Sequence, residues 1–266
     1  MKQIFGLGHG KEADLNGAAD TQGGLSARAD KFANTDTWVF DLDNTLYPAS
    51  CDLWPKIDQR ITSFMIALLG LDGLSARALQ KFYYQYYGTT LCGLIEDHAI
   101  DAAEFLRFVH DVDRSSLVPN LPLAGAIAAL PGRKLILTNG SRDHALRTAE
   151  ALGLIGIFED VFDIIAAELV PKPRLAAYER FFDKHRIDPQ TSAMFEDLAR
   201  NLHIPHERGM TTILVVPEGE LKVQREAFEI NEGAMPQHVD FVTSELEKFL
   251  SEIANPSTKD IDVGST

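Results

Sequence analysis

The chain has 266 residues, 45% of them hydrophobic and 24% charged; these are the proportions of a soluble globular protein, with length enough for a core and an inserted domain. A formal net charge of -14 without any cluster of Lys and Arg excludes a nucleic-acid-binding surface, which needs a basic patch to displace counterions. No run approaches the roughly 18 apolar residues of a membrane span, the N-terminus lacks the apolar run of a signal peptide, and two cysteines, Cys51 and Cys92, in no C-x-x-C pattern fit a reduced, cytoplasmic protein.

Residues 1–34 are rich in Gly, Ala, Asp and Lys with little apolar periodicity, which predicts a flexible N-terminal extension. Gly6-Leu7-Gly8-His9-Gly10-Lys11 has the outline of a phosphate loop, but Glu12 stands where Ser or Thr belongs and no strand precedes the glycines. Five short β-rich runs follow: Thr37 to Asp41, Lys134 to Thr138, Val161 to Ile165, Ala193 to Glu196 and Thr211 to Val216. Helical patterns over Arg142 to Leu152, Arg174 to His185 and Leu198 to Arg208 have the length of crossover helices, and that alternation predicts a parallel sheet wound in right-handed crossovers.

Between the first two strands lie about 90 residues, far more than the dozen or so of an ordinary crossover. Trp54, Ile57, Ile61, Phe64, Met65, Leu68 and Leu69 recur at helical spacing, as do Phe105, Phe108, Val109 and Val112. The expected organisation is therefore an α/β core over residues 35–51 and 120–254, with an inserted all-helical cap domain over 52–119. The core should be a Rossmann-like parallel sheet with helices on both faces. Leu123 to Leu130 leads into the second strand, Val239 to Val242 is a sixth strand, Ser244 to Ile253 is an amphipathic helix, and residues 255–266 are a flexible tail.

Polar residues gather at the C-terminal ends of these strands, the edge where open α/β sheets bind ligands. Asp41 and Asp43, spaced i and i+2, share a strand face while Leu42 points to the core, an arrangement suited to holding a hard cation against a phosphate. Thr138 and Asn139 end the second strand, Lys172 follows the third between Pro171 and Pro173, and Glu196 and Asp197 end the fourth. Ser141, Asp143 and His144 lie too close in sequence to converge as a triad, and Gly-x-Ser-x-Gly is absent. His203, His206 and Glu207, with Pro205 between the histidines, are read as a helix end and not a metal site.

This order of Asp-x-Asp, Thr, Lys and a late acidic pair resembles the haloacid dehalogenase superfamily, over Thr37 to about Val216. The resemblance implies Asp41 as the nucleophile that forms an aspartyl-phosphate, Asp43 as general acid and base, and Lys172 directed at the phosphate and Asp41. It implies Thr138 and the Asn139 backbone amide as phosphate ligands. It also implies Mg2+ as cofactor, bound by Asp41, Glu196, Asp197 and the backbone carbonyl of Asp43. The dehalogenating branch lacks the second aspartate, so Asp43 favours phosphate chemistry. Asn44 departs from the Gly often found there.

The cap contains Phe82-Tyr83-Tyr84-Gln85-Tyr86-Tyr87-Gly88-Thr89-Thr90-Leu91-Cys92-Gly93-Leu94. Its Tyr-Gly-x-x-Leu-x-Gly-Leu from Tyr87 to Leu94, with Asp41 to Pro48 and His110-Asp111-Val112-Asp113, resembles the pyrimidine 5′-nucleotidase subgroup and implies UMP or CMP as substrate. Tyr83, Gln85 and Tyr87 are the expected specificity residues, since rings stack on a base and an amide bonds its edge. Four tyrosines in five positions cannot all face one pocket on a helix, so most of them pack the cap. The expected partner is a small-molecule phosphate ester, with no nucleic acid or membrane; the sequence sets no oligomeric state. A sugar-phosphate phosphatase, a phosphomutase and a non-enzymatic scaffold are the rival readings, the last opposed by the complete polar set.

Overall fold

The structure, a computed structural model, describes residues 30–217 and 235–255; the glycine-rich Gly6 to Lys11 segment and most of the two expected terminal extensions lie outside them. Six parallel strands form one sheet: β1 (Thr37–Phe40), β2 (Arg133–Leu137), β3 (Asp160–Phe162), β4 (Ser192–Glu196), β5 (Thr211–Val215) and β6 (Phe241–Thr243), in the order β3-β2-β1-β4-β5-β6. β1 is central, with Val39 opposite Leu135 of β2 on one side and Met194 of β4 on the other. The chain builds outward from β1 through β2 and β3, then returns to its other side with β4, leaving a crevice at the β1/β4 switch point.

The central strands are apolar on both faces because both are covered. Trp38, Phe40, Ile136 and Phe195 pack on one side with α5 (Leu121–Ala129) and α9 (Leu246–Ala254). Val39, Leu137, Met194 and Leu214 pack on the other with α7 (Leu175–His185) and α8 (Ala199–Glu207). A further helix, α6 (Arg142–Ala151), links β2 to β3. Two strands differ from their sequence limits by more than one residue. β3 ends at Phe162 because Asp163 turns the chain, its carboxylate accepting the Arg142 and Ala166 backbone N–H groups. β6 begins late because the Asp240 side chain occupies the Thr212 N–H that a strand partner would otherwise take.

Between β1 and β2 stand α1 (Leu53–Leu69), α2 (Gly73–Tyr87), α3 (Thr90–His98) and α4 (Ala102–Val109). They form a helical cap region with its own apolar cluster around Met65, Tyr83, Leu94, Phe105 and Val109. Each of α2, α3 and α4 starts on a capping side chain, Asp72, Thr89 and Asp101 respectively, which satisfies N–H groups the first turn leaves open. Among the described residues no single helix is long and apolar enough to cross a membrane.

The α2–α3 corner accounts for the glycines of the cap motif. Gly88 ends α2 at φ +92, where a side chain is strained. Gly93 lies beneath the Tyr83 ring, so close that an added Cβ would sit 2.5 Å from Tyr83 Cγ. The corner rests on the core loop that carries Lys172: a Cβ at Gly88 would come 3.0 Å from Pro171 Cγ, Cys92 Sγ donates to the Leu169 carbonyl, and Arg174 donates to the Tyr87 carbonyl. Gly93→Ala is expected to destabilise the protein by about 1–3 kcal/mol through overpacking, read as a lower midpoint in urea. An unchanged midpoint would show that the corner is loosely packed.

Candidate active site

Asp41, Asp43, Thr138, Asn139, Lys172, Glu196 and Asp197 line one cavity at the crevice between the sheet edge and the cap. The centre is Lys172, 2% exposed. Its ammonium donates to Asp41 Oδ1 and to Glu196 Oε1, each at 2.7 Å, and to the Leu137 carbonyl at 2.9 Å. Burial acts to lower its pKa, but the two carboxylates raise it above the ordinary lysine value, so the ammonium is charged. Those three bonds use its three donors. The expected direct contact from Lys172 to a phosphate therefore has no spare N–H, and the side chain bears instead on Asp41.

Glu196 accepts from Lys172, from Asn201 Nδ2 at 2.6 Å and from the Leu198 N–H at 2.8 Å. Although burial opposes its charge, these partners hold its carboxyl below the usual range. Asp41 also accepts from Thr45 Oγ1 at 3.1 Å. Burial nevertheless pushes its carboxyl up to about 7, with the Glu196 and Asp43 charges adding to the effect against Lys172. Asp41, Glu196 and Asp197 are all buried, with ligand oxygens within 4.8 Å of one another. One ammonium among three carboxylates leaves excess negative charge, and the donors are hard anionic oxygens; this set fits a divalent cation such as Mg2+.

Asn139 does more than its backbone was expected to do. Its side chain clamps the Lys172 backbone, accepting from the N–H at 2.8 Å and donating to the carbonyl at 3.2 Å. Thr138 Oγ1 accepts the Gly140 N–H at 3.0 Å, leaving its own hydroxyl proton for the cavity it lines. Asn44 stands at φ +59, a left-handed position that Gly and Asn tolerate best, which explains why either residue serves after Asp-x-Asp.

Asp43 has partners that the sequence reading missed. Tyr47 donates to its Oδ1 at 2.5 Å, and His144 Nε2 lies 2.9 Å from the same oxygen. Burial alone would raise its carboxyl, but His144 and Tyr47 bring it down to about 2. His144 belongs to no triad with its neighbours: Ser141 caps α6, and Asp143 is exposed, facing Arg147 at 3.6 Å. His203 and His206 face the carboxylates of Glu207 and Asp240, at 3.8 and 3.9 Å, and the His203 ring stacks on His238 with centroids 5.2 Å apart.

The three expected cap residues lie away from the cavity. Tyr83 is buried in the cap cluster and bonds His98 at 3.0 Å, Tyr87 donates to Asp97, and Gln85 is exposed. From α2 it is Gln80, Lys81 and Tyr84 that contribute to the lining, and α1 supplies Trp54, Ile57 and Asp58. Asp58 accepts from Gln80 at 2.7 Å, from Lys81 at 3.0 Å, and from Arg77. The Arg200 guanidinium lies 4.7 Å over the Tyr84 ring, joining cap to core.

A family model described as a haloacid dehalogenase-like hydrolase matches residues 35–202. The chain is 31% identical over 134 residues to Phosphate metabolism protein 8 of Saccharomyces cerevisiae; the match takes in 47% of this chain and 42% of the yeast protein, so it spans less than half the length of that relative. Among solved structures it is similar to the L-2-haloacid dehalogenase of Xanthobacter autotrophicus with chloropropionic acid covalently bound, at a TM-score of 0.52 and 14% identity, covering 84% of this chain and 100% of that one. It is equally similar to a HAD phosphatase from Thermococcus onnurineus, with a TM-score of 0.52 and 16% identity, covering 82% and 99%. At these identities the structural likeness speaks for the fold.

Proposed function

The chain belongs to the haloacid dehalogenase-like hydrolases, and from that membership we propose that it is a magnesium-dependent phosphomonoesterase acting on pyrimidine nucleoside 5′-monophosphates such as UMP and CMP. The observation that carries the reaction is the pair Asp41 and Asp43 in one cavity, with Lys172 at 2.7 Å from Asp41. Asp41 attacks phosphorus and the P–O bond to the nucleoside breaks, giving an aspartyl-phosphate. Asp43 delivers a proton to the departing oxygen, then takes one from the water that attacks the intermediate, which releases phosphate and restores Asp41.

With its carboxyl held down by His144 and Tyr47, Asp43 is ionised, the state the second step needs. A phosphate dianion beside it raises its pKa, the direction the first step needs. Lys172 orients Asp41, Glu196 and Asn139 hold Lys172, and the Thr138 hydroxyl donates to a phosphate oxygen. Asp41, Asp197 and Glu196 would hold the Mg2+, whose positive charge offsets the phosphate and the excess carboxylates.

The substrate class rests on Trp54 and Tyr84, two rings lining the same cavity as Lys81. Rings supply stacking area for a heterocycle, and an ammonium donates to carbonyl oxygens at its edge. We assign the cap role to residues 52–119. The test is a panel of nucleoside monophosphates and sugar phosphates, with and without Mg2+. UMP and CMP are expected to show the highest kcat/KM, with turnover lost on chelation; a preference for sugar phosphates, or metal-independent turnover, would sink the reading.

Tyr84→Ala is expected to lower kcat/KM for UMP by about 5-fold to 150-fold relative to a small aryl phosphate, the equivalent of a stacking contact of about 1–3 kcal/mol. Gln85→Ala should leave that ratio alone. The reverse result would return specificity to the exposed face of α2.

A further inference from the structure

Both donors that reach Asp43 converge on one oxygen. Tyr47 Oη at 2.5 Å and His144 Nε2 at 2.9 Å each meet Oδ1, and no described residue donates to Oδ2. His144 is completely buried on the first turn of α6. Its other ring nitrogen, Nδ1, lies 2.9 Å from Arg114 Nη2. A guanidinium offers donors only, so Nδ1 accepts and the ring proton sits on Nε2, facing Asp43.

The rest of the assembly holds this tautomer in place. Arg114 also donates to the His110 carbonyl at 3.2 Å and the Val112 carbonyl at 3.1 Å, which leaves it little freedom to turn. The His110 ring stacks on His144 with centroids 4.3 Å apart and planes 13° from parallel. Ser141 Oγ bonds His110 Nδ1 at 2.9 Å and accepts the His144 backbone N–H at 3.3 Å. His110 and Arg114 belong to the segment through which the chain returns from the cap, so the clamp on Asp43 is built from both sides of the cap junction.

We propose that His144 is a positioning residue: fixed as the Nε2–H tautomer by Arg114, it pins Oδ1 of Asp43 so that the proton exchanged in the reaction is carried by Oδ2. A carboxyl whose Oδ1 already accepts two hydrogen bonds is protonated more readily at its other oxygen. The clamp thus selects which atom gives the proton to the leaving oxygen and which takes it back from water. This rests on the phosphomonoesterase reading, in which Asp43 is the acid and base.

The test compares UMP, whose alkoxide needs a proton, with p-nitrophenyl phosphate, whose phenolate leaves with little help. In His144→Ala the ratio of kcat on UMP to kcat on p-nitrophenyl phosphate is expected to fall by about 10-fold or more, part of the roughly 10²–10⁴ that a general acid supplies, with little change in KM. His144→Gln, which keeps a donor near the Nε2 position, should restore most of the ratio and guards against misfolding of the alanine variant. In an Asp43→Asn background His144→Ala should add no further loss. Equal losses on both substrates in folded protein, or additive losses in that background, would overturn the proposal. If the wild type hydrolyses neither ester, the phosphatase reading fails, yet the clamp is still tested by imidazole ¹⁵N shifts, with the His144 signals assigned by comparison with His144→Gln. A neutral His144 protonated at Nε2 at pH 7 supports it, and a ring protonated at Nδ1 or at both nitrogens rejects it.

Discussion

Asp41→Asn is expected to lose turnover by on the order of 10⁴-fold or more while the protein stays folded. An amide does not attack phosphorus as a carboxylate does, and no other carboxylate replaces it as nucleophile in the proposed reaction. Folding should survive, because Lys172 keeps Glu196 and the Leu137 carbonyl as partners. The variant also carries a pH signature. Burial raises the wild-type carboxyl to about 7, above its unfolded value, so the stability it contributes at low pH is lost as the pH rises through 7. The amide has no such loss. In metal-free buffer, therefore, the melting temperature of Asp41→Asn relative to wild type should climb between pH 5 and pH 8. Near-normal turnover in the folded variant would exclude the covalent route, and a flat difference in melting temperature would mean that Asp41 is not strained by its burial.

Lys172→Met is expected to cost more in stability than any substitution at the cavity wall, about 3–5 kcal/mol, because it leaves the buried Glu196 without its cation. It should also lower kcat strongly by freeing Asp41 from its orienting bond. With Lys172 present, Glu196 is held below the ordinary carboxylate range and stabilises the fold above that range. Without it, burial raises the carboxyl and the sign reverses: the deficit should shrink as the pH falls toward 5. Lys172→Met combined with Glu196→Gln should regain much of the stability at pH 8 without regaining turnover. If the double variant is no more stable than the single one, the ion pair is not what Lys172 contributes.

The sheet was legible because β1, β2, β4 and β5 are short β-rich runs whose apolar residues are buried on both faces of the sheet. The strand-end polar residues were legible for the same reason: once the strands are placed, Asp41, Thr138, Lys172 and Glu196 fall at one edge. His144 was not, because nothing local says which residue of a crossover helix will turn back toward an aspartate 101 positions earlier. Its place three residues after the Ser141 cap, on the first turn above the same sheet edge, was the available signal. The cap failed for a different reason. Both faces of α2 carry tyrosines, and helical periodicity sorts Tyr83 and Tyr87 from Gln80 and Tyr84 without telling which pair meets α3 and which meets the cavity.

The seating of the α2–α3 corner on the Lys172 loop has a bearing on protein engineering. Caps of related enzymes invite exchange, as if they were interchangeable lids joined to a constant base at two crossings. Here Gly88 abuts Pro171, and Cys92 and the Tyr87 carbonyl bond to Leu169 and Arg174, which makes a third junction invisible in a linear map of the chain. A chimera cut only at the two crossings would set a foreign corner against a native loop and shift the lysine that orients the nucleophile. The transplantable unit is the cap together with Leu169 to Arg174, two stretches distant in sequence that must be inherited as one.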